Sequence, residues 1–324
     1  MLILAQGGQM NLKRVDRLEI LVVVDNYADT LLPSAAGVIR PAVGKNGSLP
    51  SDTLLAEHGL CLLLTAERGE RRSQLILDAG YSPVAAPRNL RTMGIDRQLD
   101  SVAGLVISHG HEDHVGSAME LVSMTGNPPL WIHPEAFRHP RFFRADDGTT
   151  YRIPELLERS ELQEAGIDVC DVEAPSVVDD VFLLTSEIPR VTSFERGLPG
   201  SVHEVDGELV PDAVIDDQAV VVDVAEHGLV VVSGCAHAGI VNTVLYARRL
   251  TSGRPIHAVI GGFHLSGPSF REAITPTLDA IEQEHPDRVV PMHCTGVEAK
   301  RHFRERFGVS CAESAVGTTF VFPF

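Results

Sequence analysis

Apolar residues along this chain gather in short, nearly unbroken runs, among them Ile20–Val24, Leu60–Leu64, Val220–Val222 and Leu229–Val232. A half-exposed strand alternates apolar and polar positions, whereas runs of four to eight Val, Leu and Ile suit strands covered on both faces. On this pattern strands are predicted at 18–24, 59–65, 74–77, 104–107, 130–133, 181–185, 219–224, 229–233, 256–260 and 288–291. Between several of them the apolar spacing changes to threes and fours, which predicts helices near 83–93, 114–124, 154–164, 240–250, 270–284 and 297–307. Interleaved strands and helices imply an α/β protein, with two sheets packed together and helices outside them. Segments 32–52, 140–152 and 188–217 mix Pro, Gly and charge and read as loops, the last long enough for a functional lid. No internal repeat or linker divides the chain. Residues 1–17 read as a disordered leader and 18–324 as one domain.

Charge narrows the function. Against 27 Lys and Arg stand 44 Asp and Glu, a formal charge of −17, which repels nucleic acid and anionic membrane alike. A small anionic substrate stays open, because a metal ion would dominate its local field. The apolar runs are too short to span a bilayer, and the first ten residues lack the charged start and long apolar region of a signal peptide, so the cytoplasm is the expected compartment. The five cysteines, Cys61, Cys170, Cys235, Cys294 and Cys311, are odd in number and form no C-x-x-C pair. Reduced thiols fit better than a disulfide framework or a structural zinc knuckle.

The chemistry concentrates at 105–116, LVISHGHEDHVG. A buried strand ends near Ser108 and a helix is predicted to begin near Asp113. His109 and His111, two apart in extended chain, point to one side. Asp113 and His114 follow on the first helical turn, where the loop can bring them back to the same point. Imidazoles with a carboxylate suit zinc, iron or manganese. A solvated polar loop is the plain alternative, but four potential ligands in this order after a buried strand argue against it.

H-G-H-E-D-H resembles the H-x-H-x-D-H signature of the metallo-β-lactamase superfamily. That resemblance implies a four-layer αββα sandwich of two mixed sheets with outer helices, and a mono- or dinuclear metal site at one edge. It also implies roles outside the motif: LILDAG (75–80) is similar to the family's upstream strand, whose aspartate, here Asp78, braces the site, and His293 in PMHCTG matches a C-terminal metal ligand. The segments AEHGL (56–60), SEIPRVTSFE (186–195), DDQAVVV (216–222), SGCAHAGIVNT (233–243), GGFHL (261–265) and MHCTG (292–296) resemble one subgroup, whose named member is a dihydropterin-methyl synthase. Glu57, His58 and Glu195 recur in that pattern with no role that the sequence supplies.

Many members of the superfamily carry a Gly-Asp whose carboxylate bridges two metals. Here VSGCAH (232–237) puts Cys235 in its place, with His237 two residues on. His237 is the expected replacement ligand, and Cys235, next to a buried strand, the expected packing residue. His264 is a candidate for metal or substrate contact. The expected centre thus uses His109, His111 and His237 on one side and Asp113, His114 and His293 on the other, with Asp113 also moving a proton. Zinc, one or two ions, is the expected metal, with iron or manganese as alternatives. The expected activity is hydrolysis of an ester, lactone, thioester or phosphate-bearing small molecule by metal-activated water. Transfer of a dihydropterin-methyl unit and an iron-dependent oxidation are the rival readings, and the partner is a small molecule, anionic or pterin-like.

Overall fold

The apolar runs pair into two mixed sheets in the computed structural model, which describes all residues except 1–9, 11, 43, 45–47, 100 and 146. The first sheet has eight strands in the order Val38–Ile39, Thr319–Phe322, Arg17–Val24, Cys61–Arg68, Arg71–Leu77, Val102–Val106, Leu130–Ile132 and Val169–Asp171. It is antiparallel as far as Arg71–Leu77 and parallel beyond it. The second has six, Ser176–Val178, Phe182–Leu184, Ala219–Val224, Gly228–Ser233, Ile256–Gly262 and Arg288–Met292, and its last three run parallel.

Alternate side chains of each run face opposite ways, and both ways are apolar. Leu62, Leu64, Leu75 and Leu77 of one sheet meet Val220, Val222, Val230 and Val232 of the other in the central layer. Leu63, Ile76 and Leu105 point outward, in one apolar cluster with Leu90 of helix Ala85–Met93 and Leu121 of helix Ala118–Met124. On the other side Val221, Val231, Val259 and Val289 share a cluster with residues of helices Ile240–Leu250, Arg271–Gln283 and Val297–Phe307. These are the four αββα layers.

Three expectations change. Val15, inside the stretch expected to be a leader, is fully buried and bridges Val224, so packed chain begins before residue 18; residues 1–9 and 11 lie outside the described residues. Stretches 140–152 and 188–217, expected to be loops, contribute Arg141–Arg144, Thr150–Arg152, Ser201–Val205 and Glu208–Pro211 to a third, four-stranded antiparallel sheet. Much of that sheet is exposed, so its strands carry charge where core strands carry Val. Finally, the helix expected over 114–124 is split into Glu112–Val115 and Ala118–Met124. At the break Gly116 and Ser117 donate their N–H groups to Gly80 and Ala79, and a Cβ on Gly116 would lie 1.8 Å from the Tyr81 carbonyl oxygen.

Strands Arg71–Leu77 and Val102–Val106 in one sheet, and Gly228–Ser233, Ile256–Gly262 and Arg288–Met292 in the other, each lie parallel to a neighbour. Their C-terminal ends therefore share an edge, where ligand-binding loops collect. Among the described residues no helix is long and apolar enough to cross a membrane.

Candidate metal centre

Asp78, directly after Arg71–Leu77, sets up the site. Its Oδ1 accepts the Ser108 N–H at 2.7 Å, and its Oδ2 accepts the Ser108 hydroxyl at 2.8 Å and faces His114 Nδ1 at 2.6 Å. With Nδ1 engaged, His114 presents Nε2 to Cys235 Sγ at 3.1 Å. A carboxylate on the far nitrogen fixes both tautomer and ring direction. Asp78→Asn should keep the fold but weaken metal affinity about 10- to 100-fold, measured by competition with a chelator.

Donor atoms meet in two adjoining groups. In the first, His109 Nε2 lies 3.0 Å from His111 Nδ1 and 3.1 Å from His237 Nε2. In the second, Asp113, His114, Cys235 and His293 bring one donor atom each within 4.8 Å of all the others. His293 Nε2 is 3.1 Å from Asp113 Oδ2, yet it is a buried nitrogen with no hydrogen-bond partner. The two atoms lie side by side, which is how two ligands sit on one ion. His293 Nδ1 is held by Asn26 Oδ1 at 2.9 Å, which leaves the Nε2 lone pair facing the group. His109 Nε2, 3.0 Å from the His111 nitrogen and 3.1 Å from that of His237, is spaced to share with each an ion about 2.0–2.1 Å away. The residues fit a metal.

The same crowding shapes the protonation of the metal-free protein. Burial, then the neighbouring imidazoles, holds His109 well below the ordinary histidine value of 6.5; burial acts likewise on His237. Burial and Arg141 bring His111 down to about 4. Burial opposes a charge on His114 too, but Asp113 and Asp78 overcome it and raise that group to about 9. The unfolded chain binds protons below about 6.5 that folded His109, His111 and His237 refuse, so acid destabilises the fold as pH falls toward 4. His114 has the opposite sign: its contribution is complete below 6.5 and is lost as pH rises through 9. Chelator-treated protein should therefore be most resistant to denaturant near pH 6.5 and weaken in both directions; a flat profile from pH 4 to 9 would contradict this assignment of charges.

Cys235, expected to be a packing residue, is buried and also lies among the donor atoms. Its Sγ belongs to both donor groups and to a third made with His264 and Cys294, so it occupies the middle of the site. His237, the expected replacement for the bridging carboxylate, stands to one side with His109. Asp78, Ala236, His264 and His293 all hold positive φ, between 41° and 63°, a conformation that costs non-glycine residues energy and clusters at functional sites.

Several supporting residues escaped the sequence reading. Asp25 Oδ1 accepts the His293 N–H at 3.0 Å. Asp216 accepts the Gly110 N–H and pairs with the fully buried Arg141, which also pairs with Asp212. Asp217 accepts the Ala238 N–H, and burial raises its carboxyl to about 7. Asp25 ends an apolar strand just as Asp78 does, and that repeated position was the signal. The unassigned residues also gain places. Glu57 accepts the N–H groups of Tyr81 and Ser82, and Glu195 accepts those of Val241 and Asn242 at the start of helix Ile240–Leu250. His58 Nε2 lies 3.3 Å from Asp113 Oδ2.

Known proteins share this fold. A curated 7,8-dihydropterin-6-methyl-4-(β-D-ribofuranosyl)-aminobenzene-5'-phosphate synthase of Methanocaldococcus jannaschii is 26% identical over 306 residues, 92% of this chain and 94% of that protein. An uncharacterized protein of the same organism is 28% identical over 75% of this chain and 86% of its own length. A solved structure described as a metal-dependent hydrolase of the beta-lactamase superfamily superposes with a TM-score of 0.70 at 24% identity, covering 93% of this chain and 98% of that one. Residues 61–293 match the sequence profile of the metallo-beta-lactamase superfamily, and the chain belongs to that superfamily.

Proposed function

We propose that the protein is a metal-dependent hydrolase acting on an ester, lactone, thioester or phosphate-bearing small molecule. The observation that carries this reading is the convergence of His109, His111 and His237 with Asp113, His114 and His293 near Cys235, with His111, Asp113, Cys235, His237 and His293 lining a cavity of about 800 Å³. Imidazole, carboxylate and thiol together favour zinc, one ion or two; iron and manganese are served by the nitrogen and oxygen donors alone. When bound, such an ion supplies Lewis acidity and lowers the pKa of water toward about 7.

The chain's own groups do the rest. Asp113, with 11% of its side chain exposed and two imidazoles against it, is held well below the ordinary carboxylate range: burial opposes the charge, but His114 and His293 outweigh it. It is placed to accept a proton from attacking water and pass it on, with His58 beside it at the cavity wall. Lys300, Arg301 and Arg304 line the same cavity. Arg304 pairs with Glu313, which lines the cavity too, and Arg301 with Glu305; with Lys300 they still put positive groups within reach of an anionic substrate on a chain of charge −17. Zinc-loaded protein should turn over at least one member of a panel of phosphoesters, thioesters and lactones, and chelation should abolish it.

The similarity to the M. jannaschii synthase along nearly its whole length favours a second reading, transfer of a dihydropterin-methyl unit at the same centre. Silence on the whole panel together with tight dihydropterin binding by calorimetry would replace the first reading with this one.

A further inference from the structure

Cys294 has no part in the two groups assigned above, yet its thiol shares the cavity with them. Cys235 Sγ, Cys294 Sγ and one nitrogen of His264 lie within 4.8 Å of one another, and Cys294 Sγ is 3.7 Å from the Cys235 carbonyl oxygen. What separates the two cysteines is a glycine. A Cβ on Gly262 would stand 2.6 Å from Cys294 Sγ and 3.3 Å from Cys235 Cα, so any side chain there would fill the space between them. Both thiols line the cavity of about 800 Å³ and are reached from it by a small oxidant. The other three cysteines offer no such pair: Cys61 is buried under the helices of the first sheet, and Cys170 and Cys311 lie in different sheets' surroundings.

We propose that Cys235 and Cys294 form a reversible disulfide when the protein meets hydrogen peroxide, and that this bond takes Cys235 out of the metal centre. One thiolate attacks the peroxide, giving a sulfenic acid and releasing hydroxide; the other thiolate attacks that sulfur, forms the S–S bond and expels a second hydroxide. Two thiols lose two electrons, and peroxide is reduced to two molecules of water once the protons are counted. Bringing sulfurs that start within 4.8 Å to the ~2.05 Å of a disulfide asks the two side chains to turn toward each other. In the disulfide, Cys235 has no thiolate to offer an ion, and the second donor group keeps only Asp113, His114 and His293.

The metal-release half of this inference rests on the proposed metal centre; the disulfide does not. Zinc-loaded protein is treated with hydrogen peroxide, then divided between a colorimetric zinc assay and non-reducing peptide mapping. The expected result is a Cys235–Cys294 cross-linked peptide, release of at least one zinc per cross-link formed, and reversal of both by dithiothreitol and added zinc. Under the same treatment Cys294→Ala and Cys294→Ser should retain zinc at least about tenfold longer. Absence of the cross-linked peptide from oxidised protein overturns the proposal, as does equal zinc loss from wild type and both variants. A protein that forms the cross-link but never bound zinc keeps the disulfide and refutes the metal centre instead, so the two failures are distinct.

Discussion

Replacing His109 by alanine should strip metal from the protein and lower metal-dependent turnover by about a thousandfold or more, roughly 4 kcal/mol of transition-state stabilisation. His109 Nε2 is the atom common to the 3.0 Å approach to His111 and the 3.1 Å approach to His237, so its loss removes the nitrogen that links the other two imidazoles. The fold should survive. The sheets are held by the Leu and Val layers, and His109 sits beyond the strand in the loop braced by Asp78 through Ser108. Circular dichroism unchanged from wild type, together with metal content reduced by at least one equivalent, is the expected pair of results. Unchanged metal content would mean that His109 is only a packed imidazole.

Cys235→Ser should cost the second metal position and spare the first. The sulfur stands 3.1 Å from His114 Nε2 and shares its group with Asp113 and His293; it also lies within 4.8 Å of the His109 and His237 donor atoms, but that position keeps the imidazoles of His109, His111 and His237 without it. A serine hydroxyl has the wrong softness and is not deprotonated at neutral pH, so it replaces the thiolate poorly. One metal equivalent should be lost or bound at least about tenfold more weakly. Cobalt-substituted wild type should show an intense near-ultraviolet thiolate-to-metal band that Cys235→Ser lacks. This reverses the expectation drawn from sequence, in which a cysteine after a buried strand was a packing residue and His237 took the place of the bridging carboxylate. Retention of both metals and absence of the band in wild type would restore that expectation.

What the sequence made legible follows from how the information is stored. The two large sheets were readable because runs such as 219–224 and 229–232 are apolar on both faces, and that requires burial on both. The small third sheet was not, because strands such as Thr150–Arg152 and Glu208–Pro211 carry polar and charged residues on exposed positions and resemble loops. His109, His111, Asp113 and His114 were visible as a local motif. Asp25, Asn26, Arg141, Asp216 and Asp217 act over long sequence separations, Asp25 on His293 and Asp216 on Gly110 and Arg141. A strand-end position can mark one member, as it does for Asp25, but no local pattern names its partner; only the fold brings the two together. Cys235 belongs to the same class, since its neighbours His114, His264 and Cys294 come from three separate strand ends.

The most direct test is a crystal structure of protein purified without chelators, with anomalous diffraction recorded at the zinc, iron and manganese absorption edges. The expected result is at least one anomalous peak about 2.0–2.1 Å from His109 Nε2, His111 Nδ1 and His237 Nε2, or in the group of Asp113, His114, Cys235 and His293, with sulfur at about 2.3 Å where Cys235 is bound. Those donor atoms in these positions with no peak at any edge, and none after soaking in zinc, would contradict it.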